Sequence, residues 1–225
     1  IYVTYRRAKK TFSDNAAIAD KAASMDLYEA IFDGTKFGLP VCVNGEANSV
    51  MESGQVVCAE NGEVTLAWIE NTENDIFLGT GKNSLHMRTL KGGIWQPEIT
   101  VTETGSTITE INIGKVGGTL ALVYAVKNSA NVSDTTVYSY VGSKASQILS
   151  GYSQPGEFRI KGGCLYFLNN DMLYSYDGKK VQQETGISGI SNYQIFEAEG
   201  KQILLTNVLT ASGSELYIAE KTNGS

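Results

Sequence analysis

One strand-turn-strand pattern recurs five times along this chain, and it narrows the fold more than any other feature. The first strands of the copies read IYVTYRR from Ile1, GEVTLAWIE from Gly62, GGTLALVYAVK from Gly117, GGCLYFLNN from Gly162 and GKQILLTNV from Gly200. The second strands read MDLYEAIFDG from Met25, SLHMRTLKGG from Ser84, TVYSYVGS from Thr136, MLYSYDGK from Met172 and ELYIAEKTNG from Glu215. Copies spaced by roughly 40 to 60 residues lie in the range of propeller blades and solenoid turns. A β-sandwich does not repeat itself at such a period.

Each copy expands to four strands, a to d. In the second copy these are QVVCAEN, EVTLAWIE, SLHMRTLKG and EITVTET. The a–b turns carry NG, GG, GG and EGK, suited to tight hairpins with positive φ, and DG or GG follows strand c. The expected fold is therefore all-β, a β-propeller of about five four-stranded antiparallel blades occupying 1–225 as one domain, or a segment of a larger propeller. The pattern opens at a strand b and closes after a strand c, which favours the segment. Open sheet edges at both ends then invite a second polypeptide or further blades to complete the ring.

Composition bounds the function. The 225 residues carry 18 basic and 24 acidic side chains, a net charge of −6, which opposes a nucleic-acid partner. No apolar run approaches the roughly 20 residues of a membrane-spanning helix. Cys42, Cys58 and Cys164 show no zinc spacing, so no metal or other cofactor is expected. A Cys42–Cys58 disulfide is geometrically open, against the alternative of small buried hydrophobes.

The stretch TFSDNAAIADKAASMD is Ala-rich and reads as a b–c insertion, with Ser13 or Asp14 capping a short helix through AAIADKAA. Long polar b–c loops recur at 71–83 and 128–135. Loops in one topological position are expected on one face of a propeller, and binding concentrates on loops. No catalytic set is legible. Sialidase Asp boxes, WD pairs and complete Kelch motifs are absent. The one histidine, His86, has no evident nucleophile and reads as a surface strand residue. The a strands offer Glu60, Asn112, Arg159 and Glu197, with no converging set of carboxylates and arginines. Trp68, Trp95, Tyr124 and, as a counterpart of Trp95, Phe37 read as packing between blades. Candidate ligand contacts are Tyr5, Tyr152 and Tyr193, taken as exposed rings for stacking on a sugar, with Asp75 and Asp134 in the loops.

The phrases SLHMRTLKGGIWQPEITVTETGSTITEINI and GGTLALVYAVKN resemble the blade repeats of large uncharacterised cell-surface and secreted proteins of anaerobic Gram-positive bacteria. The resemblance is one of repeat style over most of the chain and transfers no catalytic residue. It implies an extracellular or cell-surface setting. The expected function is a non-catalytic binding or adhesion module for a glycan or a protein. The alternative is part of a carbohydrate-active enzyme, a glycoside hydrolase or lyase, on a propeller scaffold.

Overall fold

A computed structural model describes residues 1–45, 49–71, 83–102, 107–128, 135–153, 155–199 and 201–222. Among them, five antiparallel sheets follow one another along the chain. The first has the order β1(Tyr2–Ala8), β2(Met25–Ile31), β3(Val41–Cys42). The second runs β4(Ser49–Glu60), β5(Glu63–Asn71), β6(Asn83–Lys91), β7(Ile94–Trp95), with β8(Ile99–Thr102) also paired to β6. The third comprises β9(Thr107–Val116), β10(Thr119–Lys127), β11(Thr135–Val141) and β12(Lys144–Tyr152) in sequential order. The fourth follows the same plan with β13(Gly156–Lys161), β14(Cys164–Asn169), β15(Met172–Tyr176) and β16(Val181–Gln183). The fifth is β17(Ile190–Ala198), β18(Lys201–Thr210), β19(Gly213–Thr222). The chain divides into two compact units, Ile1–Ile108 and Thr109–Ser225, so the boundary falls within β9.

The a–b turns behave as their residues require. Asn61–Gly62, Gly117–Gly118 and Gly162–Gly163 all have positive φ at both positions, the conformation that matches hairpin twist to strand twist. After β2 and β15 the turn is held differently. Asp33 Oδ1 accepts from the N–H groups of Thr35 (2.8 Å) and Lys36 (3.0 Å), and Asp177 Oδ1 from Lys179 and Lys180 (both 2.8 Å). These bonds favour the ionised carboxylate, so both acids titrate below the ordinary range.

Within each unit the core lies between neighbouring sheets. In the first, Leu27 and Val43 pack against Leu66 and Trp68, with Trp95 beside them. In the second, Val116, Val123, Val137 and Leu149 meet Phe158, Leu165 and Phe167. Tyr166 and Leu173 meet Ile190, Tyr193 and Val208 at the next interface. The alternation of side chains along each strand is what gives a sheet one face for each such contact.

Two expectations change, and one open alternative is decided. The helix α1(Ile18–Ala22) is shorter than AAIADKAA, and neither Ser13 nor Asp14 caps it: Ala17 is the N-cap, with no side-chain bond. Ser13 instead closes a turn through its carbonyl to Ala16 N–H at 3.0 Å. Phe37 does not repeat the packing of Trp95. It is 55% exposed, on a bridge to Phe32. No disulfide joins Cys42 and Cys58, which remain thiols.

Candidate functional site

Tyr5 sits half-buried on β1, its ring stacked 5.9 Å from that of Tyr28 across the β1–β2 pair. The Arg7 guanidinium lies 5.4 Å from the Tyr28 ring centre. Tyr152 ends β12, its backbone opposite Thr135. Asp75 and Asp134 lie outside the described residues, as do most of the 71–83 and 128–135 loops. Tyr193 overturns its expected exposure. It is 1% exposed, because its position on β17 turns it toward the fourth sheet.

That burial places Tyr193 in a polar cluster of the second unit. Phe158 on β13 faces the apolar core, so its neighbour Arg159 leaves on the other side. Glu157 has φ +54°, a left-handed conformation that is uncommon outside glycine, and stands in a register shift between β13 and β14. Three side chains fix this strained residue and its neighbour. Glu110 on β9 accepts from the backbone N–H groups of Phe158 and Glu157. Asn112 Nδ2 donates to the Phe158 carbonyl at 2.6 Å. The Tyr193 hydroxyl donates to the Glu157 carbonyl.

The charges follow from this scaffold. Glu157 is exposed and its Oε2 lies 3.2 Å from Arg159 Nη2. The Arg159 guanidinium covers the Tyr193 ring at 5.4 Å, and its Nε is buried without a hydrogen-bond partner. Glu110 titrates above the ordinary carboxyl range, first because burial penalises its charge and then because Glu157 repels it; the two backbone N–H groups and Arg159 act against the shift. Burial likewise drives the Tyr193 phenol upward. A carboxyl biased toward its protonated form thus lies close to a second carboxylate and a guanidinium. This convergence is not legible in the residue order. Glu110 and Glu157 were missed because their meeting depends on a bulge and on two different sheets.

Also in the second unit, a cleft of about 270 Å3 opens between the fourth and fifth sheets. Ile195, Leu204 and Ala219 form its apolar lining, and Tyr166, Glu184, Gln202 and Glu220 its polar one. Its groups are already oriented: Tyr166 donates to Gln202 Oε1 at 2.6 Å, and Glu184 Oε1 accepts from Ser175 Oγ and, at 3.1 Å, from Gln182 Nε2.

In the first unit His86 is not the bare surface residue expected of it. Its Nε2 lies 2.7 Å from Ser84 Oγ and its Nδ1 2.7 Å from Glu98 Oε1. Its ring stacks on fully buried Trp68 at 5.8 Å, and Trp68 Nε1–H donates to Glu70 Oε1 at 2.9 Å. The missed signal is the spelling Ser84-Leu85-His86, since residues two apart on a strand share a face.

No family model matches this chain, and no curated protein matches its sequence. Solved structures do. The Trypanosoma rangeli sialidase in complex with the inhibitor DANA matches with a TM-score of 0.57 at 11% identity, over 97% of this chain and 44% of that one. A Dyadobacter fermentans protein of unknown function matches with a TM-score of 0.56 at 11% identity, over 96% and 74%. The Penicillium chrysogenum alpha-L-arabinanase complexed with arabinobiose gives 0.50 at 9% identity, over 89% and 68%. The chain therefore spans less than half the length of the sialidase. Together with the five antiparallel sheets, these likenesses identify the fold as an all-β propeller of antiparallel blades.

Proposed function

We propose that this chain is the glycan-acting part of a carbohydrate-active protein, with Glu110, Glu157 and Arg159 at its sugar-binding centre and buried Tyr193 supporting them. The observation that carries this reading is the pairing of Glu110, a carboxyl raised by burial, with Glu157, a solvent-facing carboxylate on a strained bulge. Glycosidic cleavage uses such a pair, one carboxyl protonated and one ionised. In this reading Glu110 gives its proton to the leaving oxygen, and Glu157 takes one from the attacking water. Buried Tyr193 holds the bulge from behind, and Arg159, which covers its ring, holds the sugar. The residues lie on β9, β13 and β17, the first strands of three successive sheets. Two solved structures of the same fold carry a sialidase inhibitor and arabinobiose, which agrees with a sugar ligand.

The test is incubation with a panel of polysaccharides and aryl glycosides, reading both retention and products. Cleavage that disappears in Glu110→Gln and Glu157→Gln, with the fold retained, supports the reading. Product formation unchanged in both variants overturns the assignment. Retention without any product favours the second reading, a binding module, for which the stacked Tyr5–Tyr28 pair offers an aromatic surface. An extracellular or cell-surface setting, implied by the repeat style, belongs to either reading and is tested by fractionating the source cells.

A further inference from the structure

The strongest chemistry outside that centre lies in the other unit, on β6. Ser84 and His86 share one face of the strand. Glu98 stands just before β8, whose pairing with β6 sets His86 opposite Thr100 and brings Glu98 back over the ring. The imidazole consequently has one partner on each nitrogen, Ser84 Oγ on Nε2 and Glu98 Oε1 on Nδ1, both at 2.7 Å. A carboxylate can only accept, so Nδ1 carries the proton. In the neutral ring Nε2 is then the acceptor for the serine hydroxyl. The stack on Trp68, at an interplanar angle of 17°, holds the ring in that orientation. Glu70 Oε2, 3.8 Å from Nε2, places a further negative charge where an imidazolium would form. Nucleophile, base and orienting carboxylate thus stand in the relation that activates a serine.

Burial grades outward along this relay. Ser84 is 6% exposed, the His86 side chain 12% and that of Glu98 36%. So little exposure of the nucleophile disfavours a bulky acyl group. We propose that Ser84 is the nucleophile of an esterase site for small acyl esters of alcohols, with His86 as its base and Glu98 as the residue that positions His86. Ser84 Oγ bonds to the ester carbonyl carbon and its proton passes to Nε2. The ester C–O bond breaks, and the alkoxide leaves with that proton. Water, deprotonated by the same nitrogen, then attacks the acyl-serine, releasing the carboxylic acid and restoring the hydroxyl.

The test uses the whole chain with p-nitrophenyl acetate as substrate and a fluorophosphonate as active-serine probe. Peptide mapping of the labelled wild-type protein is expected to find the adduct on Ser84, a readout that needs no variant. Ser84→Ala and His86→Gln should lose hydrolysis to the buffer rate, while Glu98→Gln should keep the label but slow its formation. Circular dichroism confirms that each variant is folded. Absence of an adduct, an adduct on another residue, or a folded Ser84→Ala protein that hydrolyses as fast as wild type overturns the proposal.

Discussion

The contact between the first and second sheets and that between the third and fourth solve one problem in two ways. Both bury one face of a sheet against the next. The first does it with a small apolar cluster and polar anchors: Trp95 Nε1–H donates to Glu29 Oε1 at 2.9 Å, and Arg88 Nη1 donates to the Val43 carbonyl at 2.9 Å while its guanidinium lies 5.6 Å from the Trp95 ring centre. The second is a larger apolar cluster closed at one end by backbone contact, with Gly117 N–H donating to the Gly163 carbonyl at 2.8 Å. Directional bonds fix the register of the first interface, and close packing fixes that of the second. The first should fail when a partner is removed, the second when volume is changed.

The largest effect is expected in the apolar interface. Phe167 is fully buried between Phe158 and Tyr174, so Phe167→Ala should cost about 3–5 kcal/mol in urea unfolding. A loss of less than about 1 kcal/mol would mean that this interface is not close-packed.

At the polar interface, Glu29→Ala leaves the Trp95 indole N–H without its acceptor, at a cost of about 1–3 kcal/mol. Glu29→Gln keeps an acceptor and should cost less, particularly since Glu29 Oε2 is buried and bonded to nothing. Equal costs for the two variants would show that Glu29 acts through packing rather than through its bond.

Gly117 and Gly118 separate turn conformation from close approach. Both have positive φ, but a Cβ on Gly117 would stand 2.9 Å from the Asp177 carbonyl oxygen, whereas one on Gly118 meets nothing within 4 Å. Gly118→Ala should therefore cost about 1 kcal/mol, the penalty of the left-handed conformation alone. Gly117→Ala should cost measurably more. Thermal unfolding compares the two, and identical melting temperatures would remove backbone contact from the account of this interface.

The smallest expected effect is a pH dependence that sets Glu110 apart from the polar anchors. Its folded-state titration lies above the ordinary carboxyl range, so the folded chain holds the proton more tightly than the unfolded one. The stability this lends is present at low pH. It is lost as pH rises from about 4 through the raised value. The stability of wild type relative to Glu110→Gln should fall over that window and level off above it. A difference that rises with pH would show that the backbone N–H groups of Phe158 and Glu157 and the charge of Arg159 outweigh burial.

How much of this was legible in the sequence depends on the distance over which each feature is decided. The strands were legible from alternation, and the hairpins from Asn61-Gly62, Gly117-Gly118 and Gly162-Gly163, because both depend on residues a few positions apart. Trp68 and Tyr124 were rightly read as core, being 0% and 3% exposed. The site was not legible. Tyr193 looked like a surface ring until the facing sheet covered it, and Ser84 and His86 shared a face in the sequence but acquired Glu98 only through the pairing of β8 with β6.

The all-β class, the repeat and the turn chemistry can be read from the residues alone, since backbone conformation and side-chain alternation are local. Which charges meet depends on how the sheets pack. Glu110, Glu157 and Arg159 come from two sheets, and Glu157 points outward because of one bulge that no periodicity announces. Electrostatic shifts depend on burial and on distances of a few ångströms, and those exist only once the sheets have packed.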